Sequence, residues 1–176
     1  MTKKELARVI YDVSHLNGEF LLRSGQKSNE YFDKYRFESQ PKVLKAISQH
    51  LVPLIPDGTQ ALAGLEMGGI PIATALSLES GLPVVFVRKS PKKYGTCQFA
   101  EGLEIKNQKL LVIEDVITTG GQVAESAQDL INAGAKISSV LCVINRNKES
   151  TAAKLQELGI EQFSLFNMDE LIPSTT

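Results

Sequence analysis

The chain has 176 residues, 43% of them hydrophobic, with 19 basic against 20 acidic side chains and a formal net charge of -1. That length suits one domain whose core needs no metal or disulfide to hold it, the composition is too apolar for intrinsic disorder, and there is no basic excess to bind nucleic acid. Cys97 and Cys142 are too few and too far apart for a disulfide framework or a zinc cage, and no apolar run approaches the ~18 residues of a membrane span.

The opening MTKKELARVIYDV places charges where a signal peptide needs an unbroken apolar stretch, so cytoplasm is the expected address. Thr2 and Glu5 form a capping box, and Leu6, Val9, Ile10 and Val13 recur at helical spacing, predicting a helix that Gly18 ends. Phe20-Leu21-Leu22 and Tyr31-Phe32-Asp33 flank a turn-rich segment and predict two short strands. A second helix is expected from Ser39 as N-cap, with Pro41 just inside and Pro53 as its stop. From Ala61 the rhythm changes. Apolar strands at 61–65, 84–87, 110–113, 137–144 and 162–166 alternate with helices at 70–78, 122–133 and 151–158. Continuous β-branched runs between helices predict a parallel sheet covered on both faces, an α/β fold with a small N-terminal α+β addition.

Ligands of open parallel sheets bind beyond the carboxyl ends of the strands, and three stretches leave such ends. In KLLVIEDVITTGGQ, residues 109–122, a buried strand runs into Glu114 and Asp115, then Thr118, Thr119, Gly120 and Gly121 at a helix start. Backbone N–H groups and the helix dipole make that turn a phosphate seat. Two acids beside it point to a ligand with sugar hydroxyls, a magnesium ion, or both. Successive strand residues face opposite ways, so both acids serve one ligand only if the chain bends out of the strand near Asp115. In GLEMGGIP, residues 64–71, Gly68-Gly69 before a helix is a candidate second anion nest. In RKSPKKYGTCQFAEG, residues 88–102, Arg88, Lys89, Lys92 and Lys93 charge a long loop that reads as a mobile cationic lid for a polyanion. His15 and His50 fall in predicted helices away from these stretches, and Cys142 reads as a packed thiol.

Together these motifs resemble the type I phosphoribosyltransferases, and within them the orotate branch. Glu114-Asp115-Val116-Ile117-Thr118-Thr119-Gly120-Gly121 looks like the signature for phosphoribosyl pyrophosphate (PRPP) of the wider family. Leu22-Arg23-Ser24-Gly25, Lys27-Ser28, Tyr31-Phe32-Asp33, Arg88-Lys89-x-x-Lys92 and Asn145-Arg146 are similar to the orotate branch in order and spacing. The resemblance spans about Phe20 to Phe166. It implies one phosphoribosyltransferase domain over 1–176, a central parallel sheet flanked by helices, with a hood at 1–38 and a lid at 88–102. It implies transfer of phosphoribosyl from PRPP to orotate, giving orotidine 5′-monophosphate and pyrophosphate, in pyrimidine synthesis.

By the same resemblance, Thr118 to Gly121 hold the 5′-phosphate, with Val116, Ile117 and Gln122 completing the PRPP site, and Glu114 and Asp115 take the ribose hydroxyls. Arg88, Lys89 and Lys92 meet the pyrophosphate, and Lys89, Lys92 and Asp115 are the catalytic candidates. Glu66, Met67, Gly68 and Gly69 form the pyrophosphate loop, with a cis peptide near Glu66-Met67. Thr118 and Arg146 contact orotate, and Arg23, Tyr31 and Phe32 line the base side. Magnesium is expected as cofactor, held mainly through PRPP rather than by protein ligands. A homodimer is expected in which Lys89 or Lys92 reaches the neighbouring site, with no nucleic-acid or membrane partner. Tyr94 stands where many members have histidine, Gly68 where some have lysine, and Arg23 replaces the commoner lysine. Three alternatives stay open: a salvage enzyme for another base, a non-catalytic PRPP-sensing regulator, and a nucleotide-binding module without assigned activity.

Overall fold

The computed structural model describes residues 1–22, 24–90, 98–146 and 150–172, with the side chains of 150–153 left aside. Arg23, Lys92, Lys93, Tyr94 and Cys97 therefore lie outside the described residues.

The capping box forms as its spacing predicts. Thr2 accepts from the Glu5 N–H at 3.2 Å while Glu5 accepts from the Thr2 N–H at 2.8 Å, opening α1 (Lys3–Ser14). The helix ends before Gly18: β1 (His15–Leu21) starts at once and pairs antiparallel with β2 (Lys27–Phe32). His15 is thus a strand residue, corrected from helix; its ring stacks on Tyr11 at 4.7 Å and its Nε2 lies 3.5 Å from Glu30. A turn of helix that the spacing does not predict, α2 (Tyr35–Glu38), precedes α3 (Pro41–Leu51), whose N-cap is Gln40 rather than Ser39. A short 3-10 turn at Val52–Leu54 absorbs Pro53.

The sheet then builds as β3 (Ala61–Leu65), α4 (Gly69–Ser80), β4 (Val84–Val87), β5 (Ala100–Glu101), β6 (Lys109–Ile117), α5 (Gly121–Asn132), β7 (Lys136–Asn145), α6 (Ser150–Glu157), β8 (Glu161–Asn167) and α7 (Met168–Leu171). Its spatial order is β5-β4-β3-β6-β7-β8, parallel throughout except for β5. Strand alternation sends Leu62, Leu111, Ile113 and Leu141 to a core shared with α1, α3 and α4, and Ala63, Val112, Val140 and Cys142 to a core under α5 and α6. Fully burying each Leu or Ile contributes roughly 1.5–3 kcal/mol against about 1 for a helix cap, so the two covered faces hold the fold.

Strand order reverses between β3 and β6. That is the topological switch point, the place where an open α/β sheet leaves a crevice outside its carboxyl edge. Among the described residues no helix is long and apolar enough to cross a membrane.

Candidate active site

The three predicted stretches extend beyond the carboxyl ends of β3, β4 and β6, the strands at and beside this switch point. After β3 the chain turns through a cis Glu66-Met67 peptide, where the resemblance places one, and enters α4 at Gly69. A Cβ on Gly68 would overlap the Asp115 carboxyl group, and one on Gly69 would overlap the Ile113 carbonyl, so only glycines let this turn lie flat on β6. Gly68, where the resemblance leads one to expect lysine in some members, is therefore closed to any side chain while Asp115 keeps its place.

β6 does not end at Ile113, nor does the chain bend out at Asp115; it continues through both acids to Ile117. Its pairing with β3 stops at Ile113, while pairing with β7 runs on to Asn145. The acids meet all the same. Glu114 folds back so that its carboxyl accepts from the Asp115 N–H at 2.9 Å, and Asp115 accepts from the Val116 N–H at 2.5 Å. Asp115 is fully buried, and its second oxygen takes the Lys34 ammonium at 2.6 Å. Glu38, buried on α2 one helical turn after Lys34, also reaches Asp115.

Three carboxyls around one ammonium divide their protons unequally. Burial, then the hydrogen bond and charge of Asp115, push Glu38 up to about 9, and the same causes push Glu114 well above the usual carboxylate range. Burial works to raise Asp115 too, but hydrogen bonds from Glu114 and Glu38 and the charge of Lys34 outweigh it and hold Asp115 below its ordinary value. Lys34 is raised: burial pulls it down, and Asp115 more than compensates. The shifts run in opposite senses, so negative charge in the cluster is favoured on Asp115 over Glu38 and Glu114.

A stability test follows. Folded Glu38 keeps its proton to about pH 9 while the unfolded group loses it near 4.5. Its contribution is therefore full below the unfolded value and lost as pH rises through that window, at a limiting slope of about 1.4 kcal/mol per pH unit. Glu38→Gln imitates the protonated form, so its melting temperature should gain on wild type as pH rises from 5 to 9. Parallel melting curves across that range would show that Glu38 is ionised in the fold.

Beyond β6, Thr118 and Thr119 are exposed, and Gly120 caps α5 in the left-handed region at φ 69°. The Lys154 ammonium stands 3.2 Å from where a Gly121 side chain would begin. After β4, Arg88 and Lys89 are exposed beside the cis turn, and the Lys89 N–H donates to Glu66 at 2.9 Å. At the far end of the 88–102 stretch Ala100–Glu101 form β5 against β4, and the Arg88 N–H donates to the Phe99 carbonyl at 2.7 Å, while residues 91–97 lie outside the described residues. After β7, Arg146 lies over the Phe32 ring at 5.9 Å, joining two residues placed together on the base side. Tyr31, next to Phe32 on the strand, instead stacks on Phe20 at 5.4 Å. Cys142 is buried, its thiol pushed up by burial, and takes no place in the crevice.

Comparison with known proteins places the sequence and the fold. A profile for the phosphoribosyl transferase domain matches residues 36–164. The orotate phosphoribosyltransferase of Nocardioides sp. is 45% identical over 94% of this chain and 92% of its own length. The chain belongs to the orotate phosphoribosyltransferase family. In structure it resembles the Mycobacterium tuberculosis orotate phosphoribosyltransferase, with TM-score 0.86 and 28% identity over 96% of this chain and 98% of the other. A complex of the M. tuberculosis enzyme with 5-phospho-alpha-D-ribosyl 1-diphosphate matches at TM-score 0.81, with 26% identity over 96% and 98% of the two chains. The family's sheet and crevice are therefore present here, with Lys34, Glu38 and Lys154 as neighbours of the motifs that spacing alone did not reveal. Lys34 and Glu38 look in sequence like an exposed i, i+4 pair on a polar segment, and only the fold turns them onto β6.

Proposed function

We propose that this chain transfers phosphoribosyl from PRPP to orotate, releasing pyrophosphate and forming orotidine 5′-monophosphate, a step of pyrimidine synthesis. The observation that carries the choice of base is Arg146 over the Phe32 ring, with the Arg146 N–H donating to the Ile117 carbonyl at the end of β6 at 2.9 Å. Orotate is a flat ring bearing a carboxylate: an aromatic face suits the ring, and a guanidinium suits the carboxylate through paired hydrogen bonds. A salvage base such as adenine or uracil has no carboxylate to meet Arg146.

The 5′-phosphate sits on the N-terminus of α5, held by Thr118 to Gly121 with Lys154 adding positive charge at 3.2 Å from the Gly121 Cβ position. Val116, Ile117 and Gln122 frame that turn. Glu114 and Asp115 meet the ribose hydroxyls. The pyrophosphate lies over Glu66–Gly69, with Arg88, Lys89 and Lys92 above it. As the ring nitrogen of orotate attacks the anomeric carbon, the carbon–oxygen bond to pyrophosphate breaks. Positive charge grows on the ribose and negative charge on the departing oxygens. Asp115 faces the first and the lid cations face the second, in a cleft that must exclude water while the sugar is cationic. No protein nucleophile is needed.

Magnesium, when bound, screens the pyrophosphate charge. Asp115 already accepts from a backbone amide and an ammonium, and Glu114 from a backbone amide, so the ion would be held mainly through oxygens of PRPP. We place the reaction in the cytoplasm and the active form as a two-fold dimer that shares its lid lysines, the residue range 1–38 acting as hood. The deciding assay is ultraviolet absorbance of orotate with purified protein, PRPP and magnesium. Absorbance should fall with orotate and stay level with uracil or adenine as acceptor; turnover of adenine or uracil instead would transfer the reading to salvage.

A further inference from the structure

We propose that Lys34 is a positioning residue of the transfer reaction, its ammonium fixing the Asp115 carboxylate as the anion that faces the ribose. The proposal deepens the phosphoribosyl-transfer reading and rests on it. Lys34 lies on the turn that joins the hairpin to α2. Asp33 organises that turn: its N–H donates to the Ser14 carbonyl at 2.9 Å and its carboxylate accepts from the Tyr35 N–H at 3.2 Å. The ammonium reaches Asp115 at 2.6 Å, and the Lys34 side chain keeps 33% of its surface exposed while that of Asp115 has none. The acid is thus clamped between the Gly68 backbone, which allows no side chain, and one cation at the edge of the crevice.

The groups facing Asp115 come from each element packed on it: Lys34 and Glu38 from the turn and α2, Glu114 from β6, and, through its charge, Cys142 of β7. Of these only Lys34 is cationic. A buried carboxylate among two other acids and a thiol, with no cation, would take up a proton or share one. It would then be neutral when the ribose turns positive, and the stabilisation of that charge would be lost. The Lys34 ammonium places the negative charge on one acid and holds it there. Lys34 also sits two residues from Phe32, so one short turn ties the base side of the crevice to the ribose side.

The test uses carboxyl-¹³C-labelled aspartate in the full-length protein, with the Asp115 signal identified by its disappearance in Asp115→Asn, together with pH profiles of kcat/KM for PRPP. Asp115 in the wild type should titrate below the ordinary aspartate range. Lys34→Gln, which can still donate a hydrogen bond but lacks charge, should raise that titration by about 1 pH unit or more and move the acidic limb of kcat/KM upward with it. Lys34→Arg should return both toward wild type. An ordinary Asp115 titration in the wild type would overturn the proposal without any variant. So would a Lys34→Gln enzyme whose activity falls equally at every pH. Absence of orotate turnover in the wild type would instead sink the functional reading, and the carbon titration would still decide whether Lys34 governs Asp115.

Discussion

Asp115→Asn should lower kcat/KM for PRPP by about 100- to 1,000-fold, the usual cost of removing one well-placed group that answers developing charge. Asparagine keeps the shape of the side chain, so the close approach of Gly68 survives. What disappears is the negative charge. Asp115 is the one member of the acid cluster held below its ordinary range; Glu38 and Glu114, which its charge helps to raise, become easier to ionise in the variant, but neither carboxyl stands in the Asp115 position against the Gly68 backbone. Lys34, one-third exposed, can turn toward water once its partner is neutral, which lets the fold survive the change. The variant should therefore melt within a few degrees of wild type while losing turnover. Activity within tenfold of wild type would mean that the acid ledge does not face the reacting sugar.

Lys89→Ala should lower kcat about 100-fold and leave the KM for orotate nearly unchanged, because the lysine answers charge that appears on the leaving group. The substitution is clean: the Lys89 backbone, not its side chain, is tied to Glu66 at 2.9 Å, so the base of the loop stays anchored. Normal turnover at saturating substrates would remove Lys89 from the mechanism. Mixing this variant with Asp115→Asn asks whether the lysine works across a dimer. Random exchange between subunits of a two-fold dimer should then restore about a quarter of wild-type activity through one intact site per mixed dimer. No recovery would place the lysine in its own subunit's site.

Much of the fold is legible in the sequence because both faces of the sheet are buried. The runs at 61–65 and 84–87 match β3 and β4 to the residue, and Gly134 and Gly159 follow their helices at φ 94° and 68°. The errors share a cause. A strand carrying Glu114 and Asp115 reads as finished at Ile113, since side-chain polarity hides that β7 still offers backbone partners. His15 reads as helical because the apolar spacing of α1 runs up to Val13 with no proline or glycine until Gly18. Ala100–Glu101 is too short for any periodicity and forms only because β4 lies beside it. The cis peptide at Glu66-Met67 came from family likeness and has no signal in residue type. At the site, the motifs on β3, β4, β6 and β7 were legible since each leaves a strand end, whereas Lys34 and Glu38 come from a turn whose partner is 77 residues or more further along the chain.

The central claim is that one crevice at the β3–β6 switch point holds a sugar between an acid ledge, an amide-lined cup and a cationic loop. A crystal structure with PRPP and magnesium tests it most directly. The 5′-phosphate should lie on the N-terminus of α5, the ribose hydroxyls at Glu114 and Asp115, and the pyrophosphate over Glu66–Gly69. PRPP bound with its ribose away from Asp115, or outside the crevice altogether, would contradict it.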